Sequence, residues 1–364
     1  MHIELMESFA IDHIEIYTPM AKPLVYWHNA GLGFAVEGYK GTEAGSAHVS
    51  SYVLRSGSIR LVLSSTYSTL GVEKDAEIAG FLSRRYSGVK RVVLQSRDVQ
   101  GAFDRAVSSG AIPVRGVQRI SDDKGYVELA SVALFGEQEL GFIDRSHYKG
   151  SFLPGFKPVT SGYANEPRFT TIDHIASELR TNEIGYWSHY LSKAVGAKVV
   201  QEVGRSGDNR TGMIMNICQT DNKALTMVMS EPMEITGRSK IKDNLDIFGP
   251  GIHHLAFATE DIVSTVDGLL SACIEVVGVP DSYYDLLREE YPDSGLDIDT
   301  LQKFGILMDK EEDSFLLQKF IRPYGDQPFF FYEIVQRVNG YNGFALKNIN
   351  VLKRAEEREL AKIG

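Results

Sequence analysis

Cysteine is nearly missing from this chain. Its 364 residues include only Cys218 and Cys273, with no CxxC spacing. A disulfide framework and a thiolate zinc site are thereby excluded, and a reducing cytoplasm is the expected compartment. No run of about 18 apolar residues is present, so no membrane partner is expected. Met1-His2-Ile3-Glu4-Leu5 lacks the basic and apolar regions of a signal peptide. Also missing is a Lys/Arg cluster with interleaved aromatics. Together with a formal net charge of −10, this argues against nucleic acid as a partner. Hydrophobic residues make up 43%, enough for sizeable cores, and the length fits two domains of ordinary size.

The chain does contain a long internal repeat. Ile11-Asp12-His13-Ile14 recurs as Ile172-Asp173-His174-Ile175, and a Tyr-Trp follows each copy, at Tyr26-Trp27 and Tyr186-Trp187. Gly88 to Leu94 lines up with Gly251 to Phe257, each followed by an acidic turn and a helix. Leu140-Gly141-Phe142-Ile143-Asp144-Arg145 parallels Tyr332-Glu333-Ile334-Val335-Gln336-Arg337. Two homologous halves are the simplest reading: 1–150, a linker at 151–165, and 166–364.

Short alternating strands (52–54, 59–63, 92–95) are separated by glycine and serine turns. Amphipathic helices are expected at about 23–30, 76–86 and 99–109. The order strand, helix, several strands, given twice per half, predicts an α+β fold of paired βαβββ units curling into open barrels. The stretch 149–165, with Pro154, Pro158 and no clear period, reads as the linker. Residues 281–313 break the repeat with a helical insertion. A C-terminal helix is expected from Asn350 to about Ile363.

Three residues in strand-like runs carry the chemistry: His174, His254 and Glu333. Side chains two apart share a strand face. Ile172, His174 and Ala176 therefore point one way, as do Ile252, His254 and Ala256, and Phe331, Glu333 and Val335. On such apolar faces an unpaired imidazole or carboxylate is costly, and a bound metal removes the cost. Two imidazoles and one carboxylate are the ingredients of a facial triad, which leaves about three metal positions open. The bland alternative for each is a hydrogen-bonded core residue. The first half carries His13, Arg91 and Gly141 at the matching positions. Arginine stays protonated and glycine has no side chain, so that half is expected to be metal-free and structural.

The second half resembles the 4-hydroxyphenylpyruvate dioxygenase and hydroxymandelate synthase family of the vicinal oxygen chelate superfamily. The resemblance runs through nearly the whole chain. It is densest in Gly251-Ile252-His253-His254-Leu255-Ala256, Ser282-Tyr283-Tyr284-Asp285-Leu286-Leu287, Leu316-Leu317-Gln318-Lys319-Phe320, Phe331-Tyr332-Glu333-Ile334-Val335-Gln336-Arg337 and Gly343-Phe344. It implies two vicinal-oxygen-chelate domains, Fe(II) held by His174, His254 and Glu333, and a small 2-oxo acid and O2 as reactants. The oxo acid would be decarboxylated and the rest of the same molecule oxidised, so no separate 2-oxoglutarate is implied. A homo-oligomer is also expected, with the metal-free half serving in assembly.

The resemblance assigns Gln318 and Phe331 to catalysis and, with Phe320, to the substrate pocket. Elsewhere the pocket departs from the family. Met215 stands for a serine, Ser230 for an asparagine or isoleucine, Lys240 for a glutamine, His253 for the glutamine beside the second ligand, and Ile349 for a ring-covering aromatic. Losing groups that would pair with a phenol removes the reason to prefer one, and Met213, Met215, Met227 and Met229 can line an adaptable apolar cavity. A related 2-oxo acid with a different side chain is therefore expected. His253 is expected on the opposite strand face from His254, in a structural role, and Lys240 in a run that usually forms a solvated face. The alternatives are a true 4-hydroxyphenylpyruvate dioxygenase or hydroxymandelate synthase, an extradiol catechol dioxygenase, and an isomerase or non-catalytic protein of the same fold.

Overall fold

Alternation in the strands and caps on the helices give the same layout twice. A computed structural model describes residues 8–67, 76–159, 167–204, 212–233, 240–292, 294–327 and 329–345. The first half runs β1 (Ala10–Tyr17), α1 (Ala21–Tyr26) continued by a π-turn (Trp27–Gly31), β2 (Ala35–Lys40), β3 (Val49–Ser56) and β4 (Ile59–Thr66). It continues through α2 (Ala76–Arg85), β5 (Gly88–Gln95), α3 (Val99–Ser108), β6 (Pro113–Asp122), β7 (Gly125–Ala133), β8 (Glu139–Asp144) and the short β9 (Lys157–Pro158). The second half begins β10 (Ile172–Glu178), α4 (Ile184–Val195), β11 (Lys198–Val203), β12 (Met213–Gln219) and β13 (Thr226–Pro232). Then follow α5 (Lys240–Phe248), β14 (Gly251–Ala258), α6 (Ile262–Ser271), the inserted α7 (Asp281–Glu290) and α8 (Ile298–Phe304), β15 (Leu307–Glu311), β16 (Ser314–Phe320) and β17 (Phe331–Val338).

The strands form two curled sheets, ordered β6-β7-β8-β5-β1-β4-β3-β2-β9 and β11-β12-β13-β10-β14-β17-β16-β15. Read from β2 and from β11, the eight-strand order is the same. In each sheet two βαβββ units meet through an antiparallel central pair, β1 with β5 and β10 with β14. Parallel pairs flank it: β1 with β4 and β5 with β8, β10 with β13 and β14 with β17. The acidic turns before α3 and α6 are helix caps. Asp98 accepts from the Gly101 N–H and Asp261 from the Ser264 N–H, satisfying amides with no partner inside the helix. Among the described residues no helix is long and apolar enough to cross a membrane. The expected C-terminal helix lies outside them.

Each sheet has two different faces. Ile175, Leu255, Phe257, Tyr332 and Ile334 turn toward the helices and join one large core that spans both halves. Ala256, Val335 and Leu316 turn the other way and pack with Tyr341 and Ala345 in a small separate cluster inside the second barrel. The halves meet through aromatics, with Phe34 packed on Phe169 and Phe257, and Trp27 stacked on Tyr332. His28 is fully buried in the π-turn. Burial drives its pKa down to about 4, so the ring is neutral, with Nδ1 bonded to the Leu24 carbonyl and Nε2 accepting from the Tyr332 hydroxyl at 2.8 Å. Gly57, in the β3–β4 turn at φ +55°, sits against the second half, where a Cβ would come within 2.5 Å of the Phe169 and Thr170 carbonyls.

The stretch expected as a free linker is partly built into the first half. Phe152 is buried with Val53 and Val62, and Leu153 and Phe156 pack on them. β9 adds to the edge of β2. Apolar side chains without a period still find a groove, which pattern reading does not register.

In the first barrel Arg91 occupies the centre. Its guanidinium bonds Glu15, Glu77, Glu139 and the Tyr17 hydroxyl, and both Arg91 and Glu139 are buried. Removing one member of such a network leaves uncompensated buried charge, at a cost of about 3–5 kcal/mol. Arg91→Met is expected to lower the unfolding free energy by about that amount in urea or guanidinium titrations, and a loss under 1 kcal/mol would contradict the network's role.

Candidate metal centre

His174 projects from β10, His254 from β14 and Glu333 from β17, three strands adjacent in one sheet. The ladder pairs Ala176 with His254, His254 with Phe331 and Ala256 with Glu333, so the three side chains converge inside the barrel. Each imidazole Nε2 lies 3.2 Å from Glu333 Oε2, and the two Nε2 atoms are 3.4 Å apart. All three groups are buried or nearly so, Glu333 at 1% exposure. Among the described residues this is the group of His, Cys, Asp and Glu side chains that can hold a metal ion.

Each member is held by a different neighbour. His174 Nδ1 is 2.8 Å from Asp173 Oδ1. His254 Nδ1 is 2.9 Å from His253 Nδ1. The Gln318 amide donates to Glu333 Oε1 at 2.6 Å, leaving Oε2 toward the imidazoles. Such outer partners fix which ring nitrogen is free to ligate. His253 does not face away from His254 as strand parity predicts. The ladder pairs Ala176 with His254 but Ser177 with Ile252, so His253 is the extra residue of a bulge. Bulges re-aim side chains and resist recognition from alternation.

Charge follows the geometry. Burial disfavours charge on His174, but the Glu333 and Asp173 carboxylates outweigh it and raise its pKa to about 9. Burial likewise opposes charge on Glu333, yet His174 and His254 bring it down to about 2. For His254 burial prevails and the pKa falls. The metal-free site is thus an ion pair sharing one proton beside a neutral imidazole. The raised His174 value contributes folding stability that is complete below its ordinary 6.5 and lost as pH rises through about 9. The depressed Glu333 value contributes stability present above its ordinary 4.5 and lost as pH falls through about 2.

A cavity of about 160 Å³ adjoins the three groups, lined by Met215, Val228, Leu307, Leu316, Gln318, Phe320, Phe344 and Ala345. Met215, Gln318 and Phe320, which the resemblance assigns to a substrate pocket, are among the lining residues. Phe331 stacks on the His254 ring, centroids 4.9 Å apart. Ser230 is buried beside Met215 on the neighbouring strand and donates its hydroxyl to the Ser177 carbonyl at 3.1 Å. Met227 and Met229 face the other way, into the core with Leu191 and Val195 of α4, so the adaptable wall is Met215 and not a methionine cluster. Lys240 opens α5, its side chain outside the described residues, as is Ile349. Sequence reasoning missed Val228, Leu307, Leu316 and Ala345, ordinary apolar residues with no signal of their own.

A His, His, Glu cluster inside an open βαβββ barrel defines a class, the non-haem iron dioxygenases of the vicinal oxygen chelate fold. Residues 171–297 match the model of the Glyoxalase/Bleomycin resistance protein/Dioxygenase superfamily. The chain is 32% identical to a 4-hydroxyphenylpyruvate dioxygenase of Tetrahymena thermophila, over 97% of this chain and 90% of that protein. It is 31% identical to one of Dictyostelium discoideum, over 97% and 98%. A triple mutant of 4-hydroxymandelate synthase from Streptomyces coelicolor superposes with a TM-score of 0.83 at 26% identity, covering 98% of this chain and 99% of that one. The chain belongs to the 4-hydroxyphenylpyruvate dioxygenase family.

Metal binding must displace the proton on His174. Affinity of the metal-free protein for Mn(II) or Co(II) is expected to rise about tenfold per pH unit from 7 to 9 and to level off above the His174 pKa of about 9. A flat profile over this range would show that His174 carries no proton there.

Proposed function

We propose that His174, His254 and Glu333 hold Fe(II), and that the chain oxidatively decarboxylates a 2-oxo acid with an apolar side chain and oxidises that same molecule. The carrying observation is the apolar cavity beside a buried His, His, Glu cluster. When bound, Fe(II) supplies open positions at which a 2-oxo acid and O2 can meet. The surrounding residues orient the substrate and keep water out. Leu307, Leu316, Phe320, Phe344 and Ala345 bury the side chain, and Met215 and Val228 form the opposite wall. Gln318 holds Glu333 by its free oxygen, so the carboxylate offers the metal one oxygen. The half containing His13, Arg91 and Gly141 takes no metal in this reading, because Arg91 is already neutralised by carboxylates.

The cavity supports an apolar side chain over a phenol. Apart from the three ligand candidates, the polar side chain in its described lining is Gln318, and that amide already donates to Glu333. Ser230 spends its proton on a backbone carbonyl. Both groups are already engaged, so a phenol placed against the described lining has to compete for them, and one left unpaired costs on the order of 1–3 kcal/mol. The names of the relatives favour a second reading, 4-hydroxyphenylpyruvate itself.

Oxygen consumption by the Fe(II) protein separates the two. Phenylpyruvate or a branched aliphatic 2-oxo acid is expected to be turned over at least as efficiently as 4-hydroxyphenylpyruvate. A well-used phenol contact changes the ratio of kcat/KM values by about 10⁴, so a ratio above about a hundred for 4-hydroxyphenylpyruvate would establish the second reading. In the same assay His174→Ala, His254→Ala and Glu333→Ala are each expected to abolish iron binding and turnover, whereas His13→Ala leaves iron content unchanged.

A further inference from the structure

The two barrels share a four-residue unit that metal binding alone does not explain. In the second, Asp173 faces His174 Nδ1 at 2.8 Å and is gripped by Arg337 through both oxygens, at 2.6 and 2.9 Å. Arg337 also donates to the Tyr341 and Gly343 carbonyls at 3.2 and 2.9 Å. Its guanidinium lies over the Phe344 ring, 5.0 Å from the centroid, and that ring meets His174 edge-on at 5.9 Å.

In the first barrel Asp12 faces His13 Nδ1 at 2.6 Å and is gripped by Arg145 at 2.7 and 2.5 Å. Arg145 donates to the Phe152 carbonyl. It lies 4.7 Å from the centroid of that ring, which meets His13 edge-on at 5.1 Å. In both halves the aromatic stands seven residues after the arginine. In the first, the positions matching His254 and Glu333 hold Arg91 and Gly141, so the unit is complete where no second and third ligand exist.

An ionised carboxylate only accepts, so the imidazole nitrogen facing it is a donor, and the ring is held with Nε2 turned into the barrel, where a metal displaces its proton. The unit therefore presets the ring with or without a metal. We propose that Asp173 and Arg337 are positioning residues: one ion pair presents His174 Nε2 for ligation before any metal arrives and fixes the chain at 341–345 so that Phe344 and Ala345 wall the cavity. Metal affinity and the shape of the substrate wall are then set by the same contact. The inference rests on the reading of His174 as an iron ligand.

The first barrel supplies the control. Metal-free protein is titrated with Co(II), and backbone hydrogen exchange is followed at 341–345. Asp173→Asn and Arg337→Gln are expected to weaken Co(II) binding 10–100-fold, the usual effect of losing an outer partner. Arg337→Gln should also speed exchange at 341–345, with and without the metal. Asp12→Asn and Arg145→Gln remove the matching ion pair and should lower thermal stability to a similar degree while leaving Co(II) affinity within about twofold. Arg337→Lys keeps the charge but not the fork, so it is expected to fall between wild type and Arg337→Gln, and it serves if Arg337→Gln does not fold. Unchanged affinity in Asp173→Asn, or equal losses from Asp173→Asn and Asp12→Asn, would reduce the unit to a fold staple and overturn the proposal. His174→Ala separates the two readings. If it retains Co(II), the ligand assignment itself fails; if it loses Co(II) while Asp173→Asn does not, only the positioning role fails.

Discussion

Burying Glu333 is the demand around which the second barrel is built. A carboxylate at 1% exposure cannot stay ionised in an apolar barrel without compensation, and the surroundings of β17 are arranged to supply it. Two imidazoles approach one oxygen and an amide donates to the other. Strand pairing delivers these groups with no loop involved, since β10, β14, β17 and β16 are consecutive in the sheet. Sites on paired strands inherit the rigidity of the ladder, and the outer partners Asp173 and His253 extend that rigidity one shell further.

The first barrel meets the same requirement by another route. Glycine at the position of Glu333 removes the acid, and Arg91 at the position of His254 brings in a cation, which Glu15, Glu77 and Glu139 neutralise. The cavity left inside is larger, about 830 Å³ among the described residues. There Arg91 pairs with its carboxylates, and among the described residues the group of side chains that can hold a metal is the one in the other barrel. One backbone thus carries two electrostatic solutions. They differ at the ligand positions 91/254 and 141/333 and also where the neutralising acids stand, Glu15 opposite Ala176 and Glu139 opposite Phe331.

Much of this was legible in the sequence because duplication makes each half a check on the other. The βαβββ order, the paired motifs around His13 and His174, and the inward face of the three ligand strands all follow from residue type and period-two alternation. Alternation failed at His253, where one inserted residue reverses parity. It also left open which face of β13 looked inward, so Met227 and Met229 were expected beside Met215 and instead pack on α4. The roles of Asp173 and Arg337 were written in the repeat as Asp12 and Arg145, but an ion pair between distant strands has no local pattern. Phe152 illustrates the remaining gap, since a single apolar residue in an aperiodic stretch docks by shape. Lys240's side chain and Ile349 fall outside the described residues.

The hydrogen bond between His28 and Tyr332 carries a consequence for how far the two halves can be taken apart. Tyr332 precedes Glu333 on β17, with its ring on the opposite face, against Trp27 and Phe257. The wall behind the carboxylate strand is therefore built in part from the other half of the molecule, by Trp27 and His28. Deleting that half would bare Tyr332, Phe257 and Phe169 to water and release the strand from its backing. Positions 28 and 34 of the first half are tied to the second by the Tyr332 hydrogen bond and by the Phe169 and Phe257 contacts. The outer aromatic face of one half is thereby bound to the strand that carries the chemistry next door.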